Sequence, residues 1–297
     1  MANQIAKFKK YTDLLDEVYK DSAKTAVLES DATLARQGAN ANEIIIPKLD
    51  MDGLGDYDRN SGYVNGDVTM TNETVQFNYD RGRKFSVDAM DDEETAGLAF
   101  GKLAAEFIRT KVVPEQDAFR FAKYAELAGT KVSGTLSAGA DVLSALQAAT
   151  SAMDDAEVPA ENRYLFITPA LLVAAQNVDT NKSRDILGAF ASITKVPSTR
   201  FYTAIDLKDG KSEGETAGGF AKHASTDEGK SDPDGKEINF MVIEKSAVLQ
   251  FTKHNVNKAI PPEDNPDADA WIFNFREYGL ADAYENKTAG IYLHHKA

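Results

Sequence analysis

The chain has 297 residues, 42% of them hydrophobic and 27% charged, enough to bury a substantial core in one large domain or two smaller ones. Its 47 acidic against 33 basic residues leave a formal net charge of −14, so the whole-chain basic footprint of a nucleic-acid binder is missing. Cysteine is absent, which excludes disulfides, thiolate metal sites and a cysteine nucleophile, and no apolar run approaches the roughly 20 residues that span a bilayer.

Met1 to Lys10 lacks the apolar run of a secretory signal. The spacing predicts a first amphipathic helix over 5–29, with Phe8, Tyr11, Leu15 and Val18 on one stripe, then a small, polar tether over 30–42. Ile44-Ile45-Ile46 reads as a short buried strand that stops at Pro47. A Gly/Asp/Asn loop over Asp50 to Gly66 follows, and then two or three strands up to Asp88. Runs such as Thr74-Val75-Gln76-Phe77-Asn78-Tyr79 alternate with period two, which puts one face of each run against something apolar. The 43–88 stretch holds too few large apolar residues for a core of its own, and an isolated hairpin is marginal. It must lie on another surface, either its own domain or a neighbouring chain.

Asp91-Asp92-Glu93-Glu94 resembles a capping box opening a long helix, with its acids at the positive end of the macrodipole. Phe100, Leu103, Ala104, Phe107 and Ile108 recur at helical spacing. Pro114 is expected to kink or restart this helix, which ends at Gly129. From Ala140 helices and strands alternate. Asp141 is read as the cap of a helix whose stripe is Leu143, Leu146, Ala149 and Met153; Arg163 to Ile167 is a strand; Thr168-Pro169 starts a helix running to Gln176. A strand is expected near Thr199 to Ile205. Asp206 to Glu237, with Leu207 and Phe220 as its large apolar residues, is expected to be a mobile surface insertion. Asn239 to Ile243, and the alternating Trp271, Phe273 and Phe275 with Tyr278, Ile291 and Leu293, read as closing antiparallel strands.

Few residues offer chemistry. His223 falls in the insertion, and His294 and His295 read as solvated tail residues whose side chains diverge along a strand. Asp50, Asp52, Asp56, Asp58 and Asn60 suggest calcium, and a register from Asp56 places Asp58 and Asn60 at loop positions three and five. It then meets Ser61 where glycine is required and Asp67 where a bidentate glutamate is required, so an exposed acidic turn is the better reading. Arg81-Gly82-Arg83-Lys84 is the densest basic run; in an acidic chain it is expected to pair with carboxylates of a neighbour or of Asp91 to Glu94. Gly210 to Gly219 lacks the ending and flanking helix of a phosphate loop, and neither a G-x-S-x-G elbow nor an H-E-x-x-H pair occurs. No residue is assigned a catalytic, cofactor-binding or metal-binding role. The net charge reads as solubility by self-repulsion or, more sharply, as a surface that sits beside nucleic acid without adhering.

The order of elements, with the run Asp80 to Thr95, the segment Val113-Pro114-Glu115-Gln116-Asp117-Ala118 and the ending Trp271 to Gly279 followed by Lys287 to Tyr292, resembles the major capsid proteins of tailed bacteriophages. The resemblance implies an α+β capsid fold with an N-arm over 1–42 and an extended β-hairpin loop over 43–88. A peripheral domain with a long spine helix would span 89–137 and 261–297, and an α/β axial domain 138–260, with the insertion at 206–237. It implies a non-enzymatic subunit needing no cofactor, assembling with itself into hexamers and pentamers of an icosahedral shell around double-stranded DNA. A separate scaffolding protein and a portal would be partners, assembly would occur in the bacterial host cytoplasm, and the product would be the virion capsid without a membrane. Some relatives cross-link neighbouring subunits, for which Lys48 and Lys84 are the arm lysines. Two alternatives stay open: the shell of a cellular nanocompartment with the same fold, and an acidic calcium-binding or enzymatic α/β protein.

Overall fold

The computed structural model describes residues 23–30, 36–37, 43–60, 62–90, 98–178, 180–225 and 234–297. Strands β1 (Arg36–Gln37), β2 (Glu43–Met51) and β3 (Val68–Gln76) form one antiparallel sheet, and β4 (Tyr79–Asp88) leaves it for another. The spine follows as helix α1 (Leu98–Phe107), a π-helical turn at Ile108–Val112 and helix α2 (Val113–Leu127). Then come β5 (Thr130–Ser133), α3 (Gly139–Asp155), β6 (Arg163–Ile167), α4 (Pro169–Gln176), α5 (Thr180–Leu187) and β7 (Ser192–Lys195). A small hairpin, β8 (Ile205–Leu207) and β9 (Phe220–Lys222), precedes β10 (Ile238–Glu244), β11 (Val248–Ile260), β12 (Ala270–Ala283) and β13 (Ile291–His295).

Two sheets organise the core. The central one runs β5-β13-β10-β6-β7, with β10 in its middle and every residue of β10 buried. Period-two alternation assigns its side chains to opposite faces. Phe240 and Val242 meet Leu165, Ile167 and Tyr292 under α3 and α4, whose stripe Leu143, Leu146, Ala149, Met153, Leu172 and Ala175 closes that face. Met241 and Ile243 meet Phe166, Ile291 and Leu293 on the other face, closed by Phe121, Tyr124 and Ala125 of α2. The second sheet, β11-β12-β4, packs Phe273 and Phe275 against Ala104, Ile108, Val112 and Val113. The spine therefore serves both sheets, its first half on one and its second half on the other.

Pro114 does not break the spine. The turn before it widens, with the Val113 amide donating to the Ile108 carbonyl five residues back. That π turn absorbs the missing donor and ring of proline, and an α-helical register restarts at Val113. The spine ends where Gly129 donates to the Thr288 carbonyl; a Cβ there would sit 2.6 Å from that same oxygen, so only glycine admits the contact.

Several expectations need correction. Of the helix over 5–29, residues 1–22 lie outside the described residues, and the rest forms only a short 3-10 turn at Ala26–Leu28. The proposed start at Asp91 to Glu94 also lies outside them. The tether contains β1, paired with Ile44 and Ile45. Pro47 does not stop β2, because β1 pairs only at Ile44 and Ile45 and β2 is an edge strand beyond them, where proline is tolerated. Asp141 is not the cap but the third helical residue; its carboxylate accepts from the Ala138 amide (3.0 Å), and Ala138 occupies the cap position. The span 199–205, read as a strand, instead holds the end of a 3-10 turn at Ser198–Arg200, an isolated bridge from Tyr202 to Glu237 and the first residue of β8; the nearest strand before it is β7. Sheet pairing places Val248–Ile260 beside Ala270–Ala283, and Ile291–His295 in the central sheet.

Candidate functional site

The arm made by β2 and β3 is paired residue for residue, from Glu43 opposite Gln76 to Met51 opposite Val68. Its root is dry. Ile44, Ile46 and Val75 pack against Leu249 and Phe251 of β11 and Leu280 of β12. At the junction with β4, the Asn78 amide group exchanges hydrogen bonds with both backbone groups of Ala281 (2.8 and 3.1 Å), and Phe77 stacks on Tyr278 with centroids 5.0 Å apart. Beyond Ile46 the arm has no such support. Eight of the eleven large hydrophobic side chains that stand exposed among the described residues lie between 49 and 70. Leu49, Met51, Val68 and Met70 are more than half exposed along the two strands, and Leu54 at the tip is fully so.

The tip is nonetheless shaped. Asp58 and Gly62 exchange backbone hydrogen bonds, Gly62 takes a positive φ of 82°, and the Asp58 carboxylate accepts from the Asn60 amide at 2.6 Å. Asp52 accepts from the Asp67 amide (2.9 Å), and Tyr57 and Tyr63 meet edge to face at 4.9 Å. Local polar bonds thus fix the loop while its apolar side chains face water, each forgoing about 1.5–3 kcal/mol available from full burial. Contiguous apolar exposure of this kind marks an interaction surface.

The acids named from the sequence, Asp50, Asp52, Asp56 and Asp58, are all exposed on this arm. Among the described residues no group of three or more His, Asp or Glu side chains is placed to hold a metal ion. Of the carboxylates expected to meet the basic run, Asp91 to Glu94 lie outside the described residues. Arg81 donates to Glu115 of the spine (2.7 Å) and to the Lys208 carbonyl (2.8 Å), and Arg83 donates to the Thr216 carbonyl (3.0 Å). Two guanidinium groups thereby tie the 206–225 segment to β4, where Leu207 pairs with Phe220. Lys48 pairs with Glu285 at 2.7 Å, which raises its pKa. His223 meets Asp206 at 2.6 Å.

His294 is not a solvated tail residue. It is buried, stacks on Phe240 (5.1 Å) and faces the Asn239 amide nitrogen across 3.0 Å; desolvation, with a smaller contribution from His295, lowers its pKa. Sequence reading also missed Asp117. This fully buried carboxylate accepts from the backbone amides of Lys24 and Thr25 (both 3.1 Å), the Thr25 hydroxyl (2.9 Å) and Arg200 (3.0 Å). It joins the N-terminal segment, the spine and the loop after β7 at one point.

No protein-family model and no curated protein matches the sequence. Solved structures do match. The capsid structure of the cyanophage P-SCSP1u is 14% identical with a TM-score of 0.56, covering 88% of this chain and 85% of that one. The mature capsid of bacteriophage PhiM1 is 10% identical with a TM-score of 0.57, covering 86% and 82%. The chain has the tailed-phage capsid fold. A virus-like particle from Pyrococcus furiosus, 10% identical with a TM-score of 0.55, covers 97% of this chain and 98% of that one. In the capsid fold, then, this chain places its exposed apolar surface on a projecting hairpin, on an acidic subunit in which no helix among the described residues is long and apolar enough to cross a membrane.

Proposed function

We propose that the chain is a structural shell subunit, the major capsid protein of a tailed phage, which assembles with itself into hexamers and pentamers of an icosahedral head around double-stranded DNA. The observation that carries this reading is the arm: a hairpin rooted in its own subunit, shaped at its tip, and bare of apolar contacts in between. Such an arm gains its missing burial on another copy. A contact between two different surfaces closes into rings when the rotation between copies permits. In this reading residues 1–42 form the N-arm and 43–78 the projecting loop. Sheet β11-β12-β4 with the spine forms the peripheral domain, and the central sheet with α3 to α5 the axial domain. The net charge of −14 keeps packaged DNA from adhering to the wall. No residue has a catalytic, metal or cofactor role. A scaffolding protein and a portal are the further partners, and the location is the virion, after assembly in the host cytoplasm. Covalent cross-linking through Lys48 or Lys84 is not part of the proposal.

One observation favours a second reading within the same fold. The virus-like particle from Pyrococcus furiosus covers nearly all of both chains, which fits a nanocompartment shell that needs no portal or DNA. Size-exclusion chromatography and negative-stain imaging of the expressed chain test both readings, with rings, tubes or closed shells expected. Nuclease-protected DNA inside purified particles distinguishes the phage head from the nanocompartment. A monomer that never assembles, even beside its scaffold, would overturn the shell reading.

A further inference from the structure

A cavity of about 480 Å³ opens beside the spine, between β4, the π turn and the 206–225 segment. Its floor is apolar. Phe85 and Phe107 meet edge to face with centroids 4.7 Å apart, and Phe107 and Phe275 do so at 5.8 Å. One wall is nearly bare backbone, at Gly210 and from Ala217 to Gly219. Gly210 and Gly218 take positive φ of 74° and 66°, and a Cβ on Gly210 would stand 2.7 Å from the Arg83 guanidinium. Arg81 and Arg83 hold this wall through the Lys208 and Thr216 carbonyls (2.8 and 3.0 Å), so the cavity is formed before anything enters it.

The charges around it do not balance. Of the lining acids, Glu115 is paired with Arg81 and Glu106 with Arg109, and Asp209 turns to the amides of Lys211 and Ser212. Arg83, Lys111 and Lys208 line the same cavity, and none has a carboxylate within ion-pair distance among the described residues. Even with Asp209 set against them, positive charge is left over in a chain of net charge −14. An anionic head answers these cations, and an apolar body answers the floor. The rings indicate what kind of body. Their planes lie 70° and 75° apart, so the floor is ridged and offers no flat platform for stacking, which suits a flexible chain better than a planar ring system. The volume indicates its size. Roughly 150 Å³ holds a benzene ring, so 480 Å³ admits about three times as many non-hydrogen atoms, the size of tetradecanoate. We infer that this cavity binds a long-chain aliphatic carboxylate, with the chain on Phe85, Phe107 and Phe275 and the head held by Lys111, Lys208 and Arg83. The inference concerns the single subunit and does not rest on the shell reading.

Isothermal titration calorimetry of the full-length chain with tetradecanoate, kept below the concentration at which it forms micelles, tests this. Saturable binding at a single site per chain is expected. Lys111→Ala with Lys208→Ala should weaken it about tenfold while leaving the circular-dichroism melt unchanged. Ala217→Trp, which sets an indole into the cavity from an exposed position, should abolish it. Tetradecanol, with the same chain and no charge, should bind the parent about tenfold more weakly than tetradecanoate. Equal affinity for the alcohol, or unchanged affinity in the double-lysine variant, would overturn the proposal by removing the cations from recognition. Tighter binding of naphthoate than of tetradecanoate would overturn the aliphatic body. Uptake that does not saturate, or that survives Ala217→Trp, would overturn the site. None of these outcomes touches the shell reading, and a chain that fails to assemble can still be titrated.

Discussion

Two antiparallel pairings in this molecule obey the same backbone rules and end in opposite environments. Strands β10 and β6 pair from Phe240 opposite Ile167 to Glu244 opposite Arg163, with helices closing both faces. Strands β2 and β3 pair over nine residues each with equal regularity, yet beyond Ile46 their apolar side chains meet water. Hydrogen-bond register alone therefore does not separate a structural element from an interaction surface; what covers its faces does. If the arm is completed by another copy, its residues matter for assembly and the central strands matter for folding.

The largest effect should come from removing the tip. Deleting Asp52 to Gly66 and rejoining the strands should abolish rings and shells completely, while thermal melting stays close to that of the parent. A collapse of the melt would instead make the arm part of its own subunit's core. Matched truncations sharpen the contrast next. Phe240→Ala, at a side chain with no exposed surface, should cost about 3–5 kcal/mol in chemical denaturation. Leu54→Ala, at a fully exposed one, should stay within about 0.5 kcal/mol in the same measurement yet weaken assembly.

Much of this division is legible in the sequence. Continuous apolar runs such as Phe240-Met241-Val242-Ile243 announce a strand covered on both faces, and the stripe Leu143, Leu146, Ala149, Met153 announces the helix above it. The shortage of large apolar residues over 43–88 predicts that this stretch lies on another surface, and its root does so on β11 and β12. Periodicity does not report which residues meet across long separations. Asp117 sits among the buried positions of α2 and looks like an ordinary first-turn acid; its partners are 92 and 93 residues away in one direction and 83 in the other. Likewise Arg81 and Arg83 find carbonyls in a segment too polar to be read as part of the core.

Asp117 marks where the folded subunit takes hold of the segment leading to residues 1–22. Replacing it with alanine leaves the Arg200 guanidinium without its carboxylate and strands the buried amide of Thr25 and the half-buried amide of Lys24. Breaking a buried pair by removing one partner costs about 3–5 kcal/mol, and Asp117→Asn should recover part of that through its remaining acceptor oxygen. Hydrogen exchange at Lys24 and Thr25 should accelerate in the alanine variant before the central sheet is affected. Equal acceleration in β10 would show a general loss of stability in place of a local release.

The smallest expected effect is a pH dependence on the covered side of the comparison. His294 is buried against Phe240, and desolvation holds its pKa below the ordinary 6.5. In the unfolded chain the imidazole takes up a proton near its ordinary pKa, whereas in the folded state it resists until the pH is lower. Between those two values the unfolded state binds more protons, so stability rises with pH there. Stability should accordingly be complete above about pH 6.5 and decline as the pH falls through the folded value, until both states are protonated. Urea denaturation from pH 7.5 down to pH 5 should show this loss in the parent and a shallower one in His294→Phe, which keeps the stack on Phe240 but cannot take a proton. An unchanged slope in that variant would assign the pH dependence to groups other than His294; Asp80 is not among them, because its pKa is lowered by its hydrogen bond to Arg276 and its contribution is lost only below this range.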